Sequence, residues 1–362
     1  MKKILCLIDT IGQGGAERQM IGIASFLKKK GYYVNLVTYY KDDFYLPLVE
    51  NSGVNFKSLD VGNSKWSKFK AVKQHIKEVG GYDCVIAYKD GSTIIGCLLK
   101  IIGEKFKLIV SERNTNQSIS LKDRIKFFLY RWADCIVPNS QSQENFIKEN
   151  FSALGKKVSC ITNFTDTDFF KPCQIVKKSK LLVVTAARIA AQKNVLRYME
   201  AILRLKKDGY KSKVKFEWYG GIQKGEENYY NECIAKLHDL GIQDMLEFYP
   251  NISDVVKRYQ ESDIFCLPSI YEGYPNVICE AMSCGKPIVC SRVCDNPHIV
   301  HEGRNGLFFN PHDTDSMYSV LKQMIDKSTN ELDEWGNESR IISEDKFSIE
   351  SFVNKYIKLI EN

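Results

Sequence analysis

Short apolar runs rich in β-branched residues alternate with segments of helical period almost from end to end, and this alternation constrains the fold more than any other feature. KILCLID at 3–9 precedes a segment in which Met20, Ile23, Ala24 and Leu27 fall at i, i+3, i+4 and i+7, stopped by Gly31. YYVNLVTY, DCVIAY, KLIVS, DCIVP and VSCIT follow as further strands. The pattern restarts with LLVVTAA at 181–187 and continues through VKFEWYG, LEFYP, IFCLPS, PIVCS and GLFF. Apolar strands joined by helical crossovers belong to parallel sheets covered on both faces. The expected class is therefore α/β, with two Rossmann-like domains. Residues 1–170 form the first, completed by the C-terminal helix 347–362, and residues 171–346 form the second. A length of 362 residues agrees with two cores.

Composition removes several alternatives. Apolar content of 44% with 26% charged residues is globular, and no apolar run reaches the 18 residues or so needed to span a bilayer. The segment MKKILCLIDTIG is too short in apolar residues for a signal peptide, so a cytoplasmic location is expected. The 12 cysteines sit mostly in apolar runs without a C-x-x-C pair, which speaks against zinc or disulfide roles. Charge is asymmetric: residues 1–170 hold 25 Lys and Arg against 17 Asp and Glu, whereas the remainder is nearly balanced. A basic half suits nucleic acid, anionic lipid or phosphorylated substrates, and charge alone does not choose among them.

Ligands of open parallel sheets bind beyond the carboxyl ends of the strands, where helix N-termini attract anions. Three turns there carry candidate residues. After the first strand, Gly14 and Gly15 precede a helix and leave its backbone bare for a phosphate. After the strand at 181–187, Arg188 and Lys193 bracket a helix start, a fork and a point charge suited to two phosphate groups. In YEGYPNVICEAMSCGKPIVCS, Glu272 lies in a loop and Glu280 lies on the helix beginning at Asn276. The backbone of Gly273, Tyr274, Pro275, Asn276 and Val277 would share one small space with Glu272, suited to sugar hydroxyls. Two carboxylates so placed could hold a nucleotide sugar from both ends.

Together these residues resemble family 4 of the retaining glycosyltransferases, which have two Rossmann-like domains facing across a cleft, the GT-B fold. The resemblance covers GGAER at 14–18, ADCIVPNS at 133–140, ITNFTDTDFF at 161–170, R-x4-K at 188–193, and E-x7-E at 272–280 followed by AMSCGKPIV. It implies that Gly15 offers its amide to the donor phosphate, Arg188 and Lys193 neutralise the leaving diphosphate, Glu280 bonds the ribose and Glu272 the transferred sugar. It also implies no metal and no cofactor beyond the nucleotide-sugar co-substrate. On that reading the Asp166–Asp168 and Asp313–Asp315 pairs are not metal ligands, and Asp166 belongs to the structural element from Asn163 to Phe170. The implied mechanism is front-face attack with retention, Glu272 orienting the sugar rather than acting as a nucleophile.

The chain departs from the family in two places. Where many relatives carry a histidine, the segment is SERNTNQ, which leaves Arg113 and Asn114 as acceptor-side candidates; SERN is similar to members acting on lipid-linked oligosaccharides. His298 replaces the family's glutamate before Gly303. His75, His238, His298, His301 and His312 are all expected at the surface.

The implied partners are a nucleotide sugar, with UDP-linked GlcNAc, GalNAc or Gal favoured, and a polyprenyl-diphosphate-linked glycan acceptor, but no nucleic acid. An anionic membrane surface would then meet the basic half, with the protein peripheral on the inner face of the plasma membrane. Two stretches could provide the contact. One is GNSKWSKFKAVKQHIKE, with Trp66, Phe69, Lys68, Lys70, Lys73 and Lys77. The other is LKDRIKFFLYRW, whose Ile125, Phe128, Leu129 and Trp132 share a face; the expectation for this second stretch is an ordinary core-facing helix. The rival functions are a sugar-nucleotide 2-epimerase of the same fold and a subunit that binds nucleotide sugar without turnover.

Overall fold

A computed structural model describes residues 1–362 except 114, 115, 117, 175–178, 223, 224 and 253. The chain divides into two compact units: Met1–Phe164 with Ile349–Asn362, and Thr165–Ser348.

Unit 1 runs β1 (Lys3–Ile8), α1 (Gly15–Lys29), β2 (Tyr33–Thr38), α2 (Leu46–Ser52), β3 (Asn55–Ser58), α3 (Lys65–Val79), β4 (Cys84–Tyr88), α4 (Lys89–Ile101), β5 (Lys107–Glu112), α5 (Leu121–Leu129), β6 (Cys135–Pro138) and α6 (Gln141–Asn150). Its six strands are parallel in the order β3-β2-β1-β4-β5-β6. The chain therefore builds outward from β1 on one side, then returns to build outward on the other. The topological switch lies between β1 and β4.

Unit 2 repeats the plan with β7 (Leu181–Ala186), α7 (Val195–Lys207), β8 (Val214–Tyr219), α8 (Glu227–Asp239), β9 (Leu246–Tyr249), α9 (Val255–Glu261), β10 (Ile264–Leu267), α10 (Asn276–Ser283), β11 (Ile288–Ser291), α11 (Asn296–Ile299), β12 (Gly306–Phe309), α12 (Thr314–Ile325) and α13 (Thr329–Lys346). Its parallel order is β12-β11-β10-β7-β8-β9, so its switch lies between β7 and β10. The final helix, α14 (Ile349–Glu361), belongs to unit 1.

Each sheet is buried on both faces, which is why its strands read as continuous apolar runs. In unit 1, Met20, Ile23, Ala24 and Leu27 of α1 and Phe352, Val353, Tyr356 and Ile360 of α14 cover one face. Val72, Leu99, Phe127 and Ile147 cover the other. Burying side chains of this size stabilises the fold by about 1.5–3 kcal/mol each before ordering costs.

The structure departs from the sequence reading at four places. β3 is a polar, half-exposed edge strand without an apolar signature. VSCIT lies beside β6 as a single bridge rather than a strand. Ser159 N and Ile161 N donate to Ile136 O and Pro138 O, but Pro138 has no N–H to return the bond that a parallel ladder requires. His75 is buried rather than at the surface, its Nε2 2.9 Å from the Tyr82 hydroxyl. Lastly, α5 turns its expected core face outward. Ile125, Phe128 and Trp132 are exposed, whereas Lys126, Phe127 and Tyr130 are buried. The cause is Glu112 at the buried end of β5, whose carboxylate takes Lys126 Nζ at 2.6 Å and the Tyr130 hydroxyl. A buried carboxylate needs those partners, and they fix which face of the helix meets the sheet.

Candidate active site

The switch point of unit 2 gathers most of the donor-side candidates. The loop after β7 and the loop after β10 are tied together at the backbone: Ile270 N donates to Gln192 O at 2.8 Å, and Gln192 Nε2 donates to Tyr271 O at 2.8 Å. Across this junction Lys193 Nζ sits 2.5 Å from Glu272 Oε1, and the Ser269 hydroxyl donates to the same oxygen at 2.5 Å. Glu272 is 8% exposed. A nearly buried carboxylate is thus held by one cation and one hydroxyl, pointing where a ligand at the strand ends would lie.

Arg188 is set by the neighbouring strand. Ala187 N donates to Tyr219 O and Ile189 N to Gly221 O, each at 2.9 Å. The residue between them is exposed, and it has no ion pair or hydrogen bond among the described residues. Gly220 permits this approach, since a β-carbon there would run into the carbonyl of Ala187. Asn194, which ends the turn carrying Lys193, has φ +62° and donates from Nδ2 to Pro311 O at 2.8 Å. That conformation suits asparagine better than most residues.

Glu280 lies one turn into α10 and is buried, accepting a hydrogen bond from the Tyr259 hydroxyl at 3.1 Å. Tyr259 packs against Phe170, the last residue of the Asn163–Phe170 element, with ring centroids 6.2 Å apart. No side chain caps the N-terminus of α10, whose N-cap is Pro275, as is also the case for α1, α2, α4, α7, α8 and α11. Gly273, Tyr274, Pro275, Asn276 and Val277 form this uncapped entrance. Asn276 N and Ile278 N already donate to Tyr274 O and Pro275 O, each at 3.0 Å, so this entrance offers an anion or a sugar hydroxyl fewer amides than a bare helix start.

In unit 1, Gly14 is the N-cap of α1, again without a side-chain cap, and Gly15 is exposed. A β-carbon on Gly14 would run into the carboxylate of Glu17. Glu17 is buried and paired with Lys89, whose Nζ also lies 3.0 Å from Asp9 Oδ1. Burial pulls Lys89 down, but Glu17 and Asp9 outweigh it and hold its pKa above the ordinary lysine value. Lys89 also has φ +67°, the left-handed region that costs a non-glycine residue about 1 kcal/mol or more. Asp9 and Lys89 follow β1 and β4, so the unit 1 switch point carries its own charge cluster. Lys89 and Glu17 are 72 positions apart, and no local motif joins them.

Arg113 is occupied within unit 1. Its guanidinium lies 3.8 Å over the Tyr88 ring and donates to Asn163 Oδ1 at 2.6 Å and to the Tyr356 hydroxyl at 3.0 Å. It braces the end of β5 against α14. Asn114 lies outside the described residues. The aspartate pairs have local roles: Asp166 Oδ1 accepts from Asp168 N and Phe169 N, and Asp313 Oδ1 caps α12 through Asp315 N. No His, Cys, Asp and Glu grouping able to hold a metal ion occurs among the described residues.

Two parallel α/β sheets of this order define a GT-B glycosyltransferase fold. A crystal structure of Anabaena HepE in complex with UDP and glucose superposes with a TM-score of 0.84 over 100% of both chains at 18% identity. Residues 166–342 match the family described as Glycosyl transferases group 1, and the chain carries a glycosyltransferase domain of that family. It is 26% identical to an uncharacterized glycosyltransferase of Haemophilus influenzae, over 98% of this chain and 99% of that one. It is 23% identical to a Campylobacter jejuni enzyme, over 90% of this chain and 91% of the relative. That relative is an N-acetylgalactosamine-N,N'-diacetylbacillosaminyl-diphospho-undecaprenol 4-alpha-N-acetylgalactosaminyltransferase.

Proposed function

We propose that this glycosyltransferase moves a sugar from a UDP-sugar, GlcNAc, GalNAc or Gal, to a polyprenyl-diphosphate-linked glycan with retention of configuration and without a metal. The observation that carries the reading is the Lys193–Glu272 pair at the unit 2 switch point, with Arg188 exposed on the same loop. The Campylobacter relative supports the acceptor class, and the UDP in HepE supports the nucleotide.

Arg188 and Lys193 take the charge that develops on the diphosphate as the anomeric C–O bond breaks. Glu272 accepts hydrogen bonds from hydroxyls of the transferred sugar and fixes its orientation. Glu280 does the same for the ribose. The acceptor oxygen bonds to the anomeric carbon from the side the diphosphate leaves, and its proton passes to a diphosphate oxygen, so the products are UDP and the extended glycan. Gly14 and Gly15 are assigned to the donor phosphate on family resemblance alone. A site on the inner face of the plasma membrane accords with such an acceptor.

The test incubates the protein with labelled UDP-sugars and a membrane lipid extract, then determines the anomeric configuration of the product. Label in the lipid fraction with an α-linkage is expected. An inverted linkage overturns retention, a changed free nucleotide sugar indicates epimerisation, and binding without turnover indicates a non-catalytic subunit.

A further inference from the structure

We infer that α5 and the turn following it are an in-plane anchor by which unit 1 docks on an anionic phospholipid bilayer. Leu121, Ile125, Phe128 and Trp132 fall at i, i+4, i+7 and i+11 and are 75%, 55%, 53% and 38% exposed. Single exposed apolar residues are ordinary, but three on successive turns of α5 and a fourth on the 3-10 turn Tyr130–Trp132 that follows it make a continuous stripe. The opposite side of the helix is buried against the sheet through Lys126, Phe127 and Tyr130. The helix therefore lies flat on unit 1 with its outward stripe uncovered.

Charge complementarity selects the occupant. Arg124 and Arg131 are exposed beside the stripe, and Lys122, also exposed, pairs with Asp90 at 3.2 Å. Asp123, the acid within α5, is engaged in capping Ser120 and in accepting from Asn116 at 3.0 Å. Cations flanking an apolar stripe suit lipid phosphates above acyl chains, whereas a nucleic acid would not require the stripe. The Arg131 guanidinium lies 5.6 Å over the Phe128 ring, and Phe128 meets Trp132 edge-on at 5.7 Å. Arginine and tryptophan are the residues that bridge headgroup and hydrocarbon. Beside them an open groove of about 430 Å³ has Phe127, Phe151 and Leu154 in its lining, together with Arg124 and Arg131. It offers an apolar slot beside two cations.

The lysine-rich α3 is the poorer anchor. Among its side chains Trp66 is the large apolar group standing well exposed, and Lys68 is held by the Tyr40 hydroxyl. The docking proposal depends on the lipid-linked acceptor only for its purpose; its physical basis is the surface itself.

The test measures sedimentation of the full chain with vesicles of phosphatidylcholine alone or mixed with phosphatidylglycerol. Binding to the mixed vesicles is expected, weakening as salt shortens the ~8 to 10 Å screening length. Ile125→Ser with Phe128→Ser should lower the partition coefficient about tenfold or more without changing the melting temperature. Arg124→Gln with Arg131→Gln should flatten the salt dependence. Parental binding by the Ile125/Phe128 variant overturns the anchor. So does release by Lys68, Lys70, Lys73 and Lys77→Gln alone, or self-association of the parent that this variant abolishes in place of vesicle binding. Transfer to a short soluble acceptor is measured in parallel. If vesicles bind and no sugar moves, the functional reading fails alone; if sugar moves and the Ile125/Phe128 variant binds like the parent, the anchor fails alone.

Discussion

Lys193 Nζ and Glu272 Oε1 lie 2.5 Å apart across two loops that leave neighbouring strands, β7 and β10. The pair neutralises itself, and under the proposed function a nucleotide-sugar donor would compete with each partner for the other. Lys193→Ala and Glu272→Gln should each reduce turnover by about two orders of magnitude or more, because each loses a charge-assisted contact to the donor. Glu280→Gln should act chiefly on donor affinity. Steady-state kinetics with varied UDP-sugar separates these outcomes, and full activity of Lys193→Ala would remove the diphosphate assignment.

The same pair makes a stability prediction. Removing one partner leaves a largely buried group uncompensated, whereas removing both does not. Lys193→Met and Glu272→Gln should each destabilise by about 1–3 kcal/mol, and the double variant by less than their sum. Chemical denaturation of the four proteins closes the cycle. The double variant should recover stability while remaining inactive, and an additive result would show the pair to be energetically uncoupled.

Lys89 combines a left-handed backbone with a cation that Glu17 and Asp9 require. Lys89→Gly relieves the backbone strain but strips both carboxylates of their partner; Lys89→Ala strips them and keeps the strain. Both should be less stable than the parent, the alanine variant by about 1 kcal/mol more than the glycine variant. Equal stabilities in urea would show that the conformation carries no strain.

His75 provides a pH dependence. Burial pulls its pKa below the ordinary 6.5, Lys57 adds to this and Glu78 opposes it. The unfolded chain then takes up the proton first, so the stability of the neutral buried imidazole is full above about pH 6.5 and declines as pH falls below it. The melting temperature should drop between about pH 7.5 and about pH 5.5, and His75→Gln should reduce the drop. An unchanged pH profile in the variant would assign the decline to other groups.

Activity should survive EDTA, since Asp166 and Asp313 are engaged in turn and cap hydrogen bonds. A sharp loss restored by manganese would return the Asp-x-Asp pairs to the chemistry.

The strands were legible because residues buried on both faces leave continuous apolar runs, and the placement of Arg188, Lys193 and Glu272 in the turns just after such runs was legible with them. Ser269 and Asn194 were not, because their roles depend on partners in space, the Glu272 carboxylate and the carbonyl of Pro311. Lys89 escaped for the same reason. The orientation of α5 was misjudged because periodicity reveals an apolar stripe but not which face meets the sheet. That choice belongs to Glu112, fourteen positions before Lys126 and on another element.

The return of α14 to unit 1 sets an order of events during synthesis. Gln19 grips the backbone of Phe164, Tyr88 meets the Tyr356 hydroxyl at 2.9 Å, and Phe164 packs on Phe352 with centroids 5.2 Å apart. Half of that seam is made before residue 165 and the other half after residue 348. All of unit 2 leaves the ribosome between them, and domains fold as units during translation. The domain begun first is therefore finished last: a nascent chain carries a complete unit 2 while the α1 face of unit 1 still lacks its cover. Chaperone engagement of stalled chains should concentrate on that uncovered face.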